Sequence, residues 1–228
     1  MSSSDLAQTP PATPGFRMVR TLGVIAMLSG LLVVLVFQWT APMIAENQRI
    51  AIERAVFDVV PGATRRVDFI LGPKGLFRPG DAGAEGETVY AAYDDQGVLK
   101  GVAVTAGAQG YQDIIRLIYG YEPGCACIRG IKVLKMTETP GLGDRVGSDP
   151  EFQANFEQLD ARVNAAGDGL AHPIETVKHG EKRNPWEIDA ISGATISSVA
   201  VGKALNNSMQ QMAPLLQRYL GEIEGAGK

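Results

Sequence analysis

A long uncharged stretch near the N-terminal end constrains this chain more than any other feature. No charged residue stands between Arg20 and Glu46, and residues 22–37 are almost wholly apolar. About 20 such residues cross the hydrocarbon core of a bilayer as an α-helix. The sequence therefore predicts a transmembrane anchor over residues 19–41.

The flanks of this apolar run predict its orientation. Arg17 and Arg20 precede the run, while Gln38 and Trp39 close it with residues typical of a lipid–water interface. Positive charge on the short leading segment keeps that segment in the cytoplasm, so we expect a single-pass protein of the bacterial inner membrane with a periplasmic main domain. A cleaved signal peptide is the alternative, but the run exceeds a usual signal core and residues 43–45 make a poor cleavage site.

The rest of the chain divides around this anchor. Residues 1–18, rich in Ser, Pro, Ala and Thr, are interpreted as a disordered cytoplasmic tail. Helical spacing of apolar residues continues as a stalk helix over residues 42–62, which a Pro-Gly pair ends. Residues 63–221 suffice for one domain with its own core, and residues 222–228 are expected to be a flexible C-terminus.

The domain is predicted to be α+β, an antiparallel sheet with flanking helices. We expect a short helix over residues 152–159 and an amphipathic helix over residues 199–219, interrupted at Pro214. The turn residues at 94–97 join the first two strands as a hairpin. Segments with strand composition, bounded by turn residues, are 88–93, 98–105, 114–121 and 127–136.

Several residue types exclude other functions. A net charge of −4 with both signs interspersed gives no reason to expect nucleic acid as a partner. His172 and His179 have no neighbouring ligands at metal-binding spacing, so no metal is expected. Two cysteines do not suffice for an iron–sulfur cluster held by this chain alone, which leaves a cluster shared with another subunit as an alternative without support in the sequence. We interpret Cys125 and Cys127 as half-buried residues of a strand or turn, with a disulfide across the turn as the alternative.

The most informative motif, DAISGAT, occupies residues 189–195 and precedes a long helical pattern. A turn of small residues that enters a helix presents free backbone N–H groups at the positive end of the helix dipole, which is a good phosphate site. From the residues alone, an ordinary helix cap at Ser192 or Thr195 is the competing interpretation. Trp186, which precedes the motif, is interpreted as core, with packing along a flat ligand as its alternative.

A second motif, ETPGLG, occupies residues 138–143. Gly141 and Gly143 would allow the backbone to approach a flat ligand closely, and Pro140 would stiffen the turn. The motif follows the last predicted strand, at the edge of the sheet, where it would form one wall of a cofactor site.

The two motifs together resemble the FMN-binding domain family, in which a threonine hydroxyl carries FMN through a phosphoester bond. The resemblance implies that a flavin transferase attaches FMN covalently to Thr195. Asp144, which follows the second motif, makes the chain more similar to the G subunit of the Rnf complex than to the C subunit of the sodium-pumping NADH:quinone oxidoreductase. The cofactor-binding residues implied are Thr195, Ser192, Gly193, Ala194, Ser198, Glu138, Thr139, Gly141, Leu142 and Gly143.

The function that this resemblance implies is electron transfer. The chain would be a redox subunit, without catalytic residues of its own, of a membrane complex that couples ferredoxin and NAD oxidation–reduction to ion translocation. Its partners would be the other subunits of an Rnf-type complex. Attachment through the phosphate would leave the flavin ring free to accept electrons. The alternatives are a component of a sodium-pumping quinone oxidoreductase, a membrane-anchored flavin sensor, and a noncatalytic scaffold.

Overall fold

The computed structural model describes residues 15–227. Residues 1–14 of the predicted tail therefore lie outside the described residues, and residues 15–18 belong to the first helix. The chain forms two compact units, one up to Arg49 and one from Ile50 onward, and each is described by itself.

The first unit consists of the apolar part of helix α1, which spans Gly15–Val59. Within the described residues it is the one helix long and apolar enough to cross a membrane, with a mean hydropathy of 2.3 over 18 residues. The predicted boundary between anchor and stalk at residues 41 and 42 corresponds to no break in the helix, which continues through Pro42.

The end of α1 belongs to the second unit and packs on a sheet. Its buried Val56 and Val59 contact a cluster that includes Ala103 and Ile118. A Cβ atom at Gly120 would overlap the carbonyl of Val59, so the absence of a side chain there lets the helix end lie against the strand. The helix ends before a turn whose glycine, residue 62, has φ +82°, as the Pro-Gly pair predicts.

The sheet of the second unit has seven strands in the order β2-β1-β3-β4-β5-β6-β7. Every neighbouring pair is antiparallel, which confirms the predicted architecture. The four predicted strands correspond to β3 to β6, while β1, β2 and β7 are additional. The strands are β1 Arg65–Gly72, β2 Gly75–Phe77, β3 Glu87–Tyr93, β4 Leu99–Gln109, β5 Ile114–Glu122, β6 Cys127–Lys135 and β7 Leu159–Asp160.

The hairpin between β3 and β4 forms where the turn residues predict it. The Asp94 carboxylate accepts the backbone N–H groups of Gln96 and Val98, both at 2.9 Å. Gly97 adopts φ +78°, a conformation that costs glycine little. The Asp94 side chain therefore accepts N–H groups that have no strand partner within the turn.

Helix α3, Thr195–Arg218, covers one face of the sheet. It begins four residues before the predicted start and passes Pro214 without interruption. Its buried side chains, among them Leu205 and Met209, join the main core with residues of β4 and β5. A small parallel pair, β8 Glu175–Val177 and β9 Glu187–Asp189, lies beside α3 and leads into the DAISGAT turn.

Two predicted elements differ from the structure. The helix expected over 152–159 is the shorter α2, Pro150–Ala154, because Asp149 caps its start and the Asn155 amide bonds back to Phe152 at its end. The expected flexible C-terminus instead contains helix α4, Leu220–Gly225. Its Ile223 is buried, and the Ile223 carbonyl accepts the Tyr93 hydroxyl at 2.5 Å.

The two cysteines form a disulfide, which corrects the interpretation that we favoured from the sequence. They stand at the turn between β5 and β6, with their Cα atoms 5.2 Å apart. That separation lies within the range that a disulfide bridges. Spacing alone did not reveal it, because the turn holds Ala126, between the two cysteines, at a positive φ of 51° that non-glycine residues seldom adopt.

Candidate functional site

The DAISGAT segment forms a tight turn that delivers Thr195 as the first residue of α3. Gly193 adopts φ +82°, and the Ala194 N–H donates to the Ile191 carbonyl at 3.0 Å. Ser192 and Thr195 are exposed, and within residues 15–227 neither hydroxyl takes part in a hydrogen bond. The turn therefore presents two accessible hydroxyl groups at the start of a long helix.

The other two hydroxyls of this region are buried and engaged. Ser198 Oγ donates to the Ala194 carbonyl at 3.0 Å and accepts the Ile191 N–H at 3.1 Å. These two hydrogen bonds connect the turn to the helix. Ser197 Oγ donates to Glu138 Oε2 at 2.5 Å. Ser198, predicted from the motif to contact the cofactor, thus lies beneath the turn that presents Thr195.

The start of α3 has free hydrogen-bond donors. Ala194 precedes the helix without a side-chain cap. In the described part of the chain, the backbone N–H groups of Thr195, Ile196 and Ser197 have no acceptor. Such groups and the helix dipole favour an anion beside the Thr195 hydroxyl.

Glu138 joins the two motifs. Its buried carboxylate accepts Ser197 Oγ from α3 and the backbone N–H of Gln112, at 3.2 Å, from the turn between β4 and β5. Gln112 also donates from its side chain to Thr139 Oγ1 at 3.1 Å. Three segments distant in the sequence, 110–113, 138–143 and 193–197, therefore meet around one carboxylate.

The two glycines of ETPGLG have different tasks. Gly141 has φ +77° and nothing within 4 Å of an added Cβ, so it serves the turn conformation and leaves open space beside it. A Cβ at Gly143 would come within 2.5 Å of Ser197 Oγ and 2.7 Å of Glu138 Oε2. Gly143 therefore makes room for the Glu138–Ser197 contact, whereas the sequence predicted close approach of a ligand for both glycines.

The segment 110–113 was missed by sequence reasoning. Gly110 is buried, and its N–H donates to the Asp113 carbonyl at 2.9 Å, which closes the turn. A Cβ at Gly110 would lie 2.5 Å from Glu138 Oε1. A glycine directly followed by a tyrosine between two strands was the only signal available.

The entry to the DAISGAT turn is held by polar contacts. Asn155 is buried, and its Oδ1 accepts both the Asp189 N–H and Lys182 Nζ, each at 3.0 Å. The Asp189 carboxylate accepts the Gly180 N–H at 2.7 Å. Partial burial lowers the pKa of Lys182, and the charges of Asp189 and Glu187 oppose this shift. Asp189 therefore fixes the loop before the turn.

The remaining candidates are Trp186, His172 and His179, and of these His179 contacts the DAISGAT segment. Trp186 stands at the other end of β9 and stacks on His172, with ring centroids 3.8 Å apart. His179 approaches Ala190 O at 3.1 Å through Nδ1. Across the described residues, no group of three or more His, Cys, Asp or Glu side chains could hold a metal ion.

Residues 110–210 match the model of the FMN-binding domain family. They include all three segments that meet at Glu138. This part of the chain is therefore similar to an FMN-binding domain.

The relatives identify the type of protein to which the chain is similar. It is 27% identical over 208 residues to the G subunit of the ion-translocating oxidoreductase complex of Pseudomonas aeruginosa, covering 90% of this chain and 92% of that protein. It is 34% identical over 124 residues to the protein of the same name from Methanosarcina acetivorans, covering 54% of this chain and 57% of that protein.

Two solved structures share the fold. NqrC of Shewanella oneidensis aligns with a TM-score of 0.57 at 19% identity, covering 79% of this chain and 99% of that one. The C subunit of the Na⁺-translocating NADH-quinone reductase of Parabacteroides distasonis aligns with a TM-score of 0.54 at 24% identity, covering 68% and 78%.

The residues present fit a phosphate-bearing cofactor. An exposed hydroxyl group, free N–H groups and the positive end of a long helix occur together at Thr195. Open space at Gly141 lies in the adjoining segment. Three residues of the turn are exposed and available to such a group: Ser192, Gly193 and Thr195. The buried residues that pack beneath the turn are Ala194, Ser198, Glu138 and Gly143.

Proposed function

We propose that this protein is an electron-carrier subunit of an ion-translocating oxidoreductase complex, with FMN bound covalently through a phosphoester to Thr195. The observation that carries the proposal is the exposed, unengaged Thr195 hydroxyl beside three free N–H groups at the start of α3. Similarity to G subunits of such complexes over nine-tenths of the chain supports the assignment to a membrane complex.

The chain's own residues would bind and orient the cofactor. The first turn of α3 would neutralise part of the phosphate charge through N–H groups and the helix dipole. Thr195 Oγ1 would be the ester oxygen that holds the phosphate to the chain. The Glu138–Ser197 hydrogen bond fixes this turn against the ETPGLG segment. Once bound, FMN supplies a ring that accepts and donates electrons.

The membrane orientation expected from the sequence agrees with the same proposal. The apolar helix and the relatives indicate membrane association. Arg17 and Arg20 precede the apolar run, so the positive-inside rule assigns the FMN domain to the periplasm. Little free FMN is available outside the cytoplasm, and a covalent bond prevents loss of the cofactor there. A flavin transferase would form that bond, and other subunits of the complex would exchange electrons with it.

A component of a sodium-pumping NADH:quinone oxidoreductase is the second candidate, because two solved C subunits share the fold. The two candidates differ in electron donor and acceptor. Reduction of the flavin by ferredoxin in native membranes would support the first candidate. Reduction by NADH with quinone as acceptor, and none by ferredoxin, would support the second.

The intact mass of the protein from its native membrane tests the covalent bond. We expect a mass that exceeds the polypeptide by one FMN less one water, and a fluorescent band after denaturation. An unmodified mass in a host that contains the flavin transferase would contradict the proposal.

Matched hydroxyl variants identify the attachment point. Thr195→Val should abolish attachment, and Thr195→Ser should retain it, because only the hydroxyl is needed. Ser192→Ala is the control, since Ser192 is the other exposed hydroxyl of the turn. Loss of FMN from Ser192→Ala, together with full retention in Thr195→Val, would show that Ser192 is the attachment point instead.

A further inference from the structure

The disulfide between Cys125 and Cys127 contributes little to holding the fold together. The two cysteines are two positions apart in the sequence, so the bond closes a very short loop. In the chain-entropy model a loop of about three residues raises the folding equilibrium constant by about 15-fold, whereas a loop of about 100 residues raises it on the order of 1,000-fold. The short loop therefore gives the bond little structural value.

The turn that contains the disulfide is held in an unfavourable backbone conformation. Ala126 has φ +51°, and within residues 15–227 it is the one residue other than glycine with a positive φ. This conformation costs a residue with a Cβ about 5- to 30-fold in equilibrium constant. The cost offsets most of the gain from the closed loop, so folding favours the disulfide over the dithiol by at most about threefold.

The two cysteines differ in their exposure to solvent. Cys125 is half-buried and follows the exposed Gly124, whereas Cys127 exposes only 2% of its surface. An attacking thiolate therefore reaches the bond at Cys125, and Cys127 becomes the leaving thiolate.

We propose that Cys125–Cys127 is a thiol–disulfide exchange site, which a dithiol opens by attack on Cys125. One thiolate of the dithiol bonds to Cys125 Sγ, the bond between the two cysteines breaks, and Cys127 leaves as a thiolate. The second thiolate of the dithiol then attacks the sulfur bound to Cys125 and releases the Cys125 thiolate. Two electrons pass from the dithiol, which becomes a disulfide, and its two protons end on the two cysteines.

Opening the bond changes the contact between the β5–β6 turn and β7. The Ala126 carbonyl accepts the Ala161 N–H at 3.0 Å, and Cys127 pairs with Asp160 of β7. Without the disulfide, Ala126 can return to a negative φ, which moves its carbonyl away from the Ala161 N–H. Reduction therefore loosens this short edge strand, whose Asp160 N–H also bonds to the Pro185 carbonyl ahead of β9.

A redox titration of the purified full-length protein in detergent tests the site. The protein is equilibrated with dithiothreitol at graded ratios of the dithiol to its disulfide form, and iodoacetamide traps the free thiols, which intact mass then counts. The same titration in urea supplies the unfolded reference. We expect both native cysteines to react, at a reagent ratio within about threefold of that reference. A larger shift would indicate a structural disulfide and overturn the proposal.

Two variants of the same turn form a matched pair. Glycine adopts a positive φ at little cost, so Ala126→Gly should raise the dithiol needed for native reduction by at least about fivefold relative to its own unfolded reference. Gly124 does not have a positive φ, and a Cβ there would meet only Glu122 Oε1, at 3.7 Å. Gly124→Ala should therefore leave the midpoint unchanged. An unshifted midpoint in Ala126→Gly, or equal shifts in both variants, would overturn the proposal.

Hydrogen exchange tests the link to β7. Reduction should speed exchange of the Ala161 amide by at least about fivefold, because Ala126 no longer has to keep its carbonyl in place. The Val98 amide, which bonds to Asp94 in the β3–β4 turn, is the control and should keep its rate. An unchanged rate at Ala161 would overturn the loosening of β7.

The inference goes beyond the proposed function and is independent of FMN. Protein with and without FMN on Thr195 should give the same titration, so each proposal can fail without the other. The periplasmic location proposed above is a compartment in which disulfides form and exchange with protein dithiols.

Discussion

Replacing Gly143 with alanine tests the packing between the two motifs. The added Cβ would lie 2.5 Å from Ser197 Oγ, 2.7 Å from Glu138 Oε2 and 2.9 Å from Glu138 Cβ. Contacts this short cannot persist, so the Ser197–Glu138 hydrogen bond must lengthen or break. Loss of a buried hydrogen bond to a charged group costs about 1.5–3 kcal/mol, and overpacking adds about 1–3 kcal/mol.

We therefore expect Gly143→Ala to lower the free energy of unfolding by about 4 kcal/mol, which for a domain of this size lowers the melting temperature by about 12 °C. Gly141→Ala is the matched control from the same motif. Nothing lies within 4 Å of its added Cβ, and only φ +77° is unfavourable. That conformation costs alanine about 1–2 kcal/mol, partly offset by a less flexible unfolded chain.

Thermal unfolding of the detergent-solubilised full chain, followed by near-ultraviolet circular dichroism, measures both variants. A double-mutant cycle adds specificity, because Ser197→Ala removes one of the atoms that the new methyl group would meet. Gly143→Ala should cost at least about 1 kcal/mol less in that background. Equal shifts for the two glycine variants, or additivity with Ser197→Ala, would refute the packing argument.

Two further predictions concern stability against pH and membrane orientation. The pKa of Asp149 is lowered by hydrogen bonds from the Phe152 and Glu151 backbone N–H groups and by the Arg145 guanidinium. Asp149 therefore stabilises the fold above its unfolded pKa of about 3.9, and this stabilisation is lost as pH falls through the lower folded value. Asp149→Ala should therefore cost about 1 kcal/mol at neutral pH and converge with wild type in acid, and a constant difference in unfolding free energy across that range would contradict the assignment. For orientation, a periplasmic reporter at the C-terminal end should be active and protease should digest the domain in spheroplasts, whereas protection of the domain would reverse the topology. The reporter should follow α4, because the Ile223 of α4 is buried in the domain.

The parts of the fold that the sequence predicted have local causes. Asp94 and Gly97 define the β3–β4 turn through contacts within five residues, so the hairpin can be predicted from the sequence. The short β7 strand cannot be predicted in this way, because its two residues bond to β6 and to the Pro185 carbonyl, which are distant in the sequence. The C-terminal helix was missed for the same reason, since its order depends on a contact with Tyr93.

The site shows the same division between local and distant causes. The motif around Thr195 indicated the exposed hydroxyl, and its helix start agrees with the small residues that precede it. The arrangement below it could not be predicted, because Ser197 and Glu138 are separated by 59 positions and nothing in either motif indicates their hydrogen bond. The turn over residues 110–113 was missed because it matches neither motif, and its link to the site is the Gln112 backbone N–H that bonds to Glu138.

The close packing around the Glu138 carboxylate limits which substitutions this sequence can accept. Gly110 and Gly143 each leave only enough room for the carboxylate, and Ser197 supplies its hydroxyl donor. No one of these positions can accept a larger residue unless another becomes smaller at the same time. Substitutions at positions 110, 138, 143 and 197 should therefore covary among related sequences. They should do so although positions 110 and 197 are 87 residues apart in the chain.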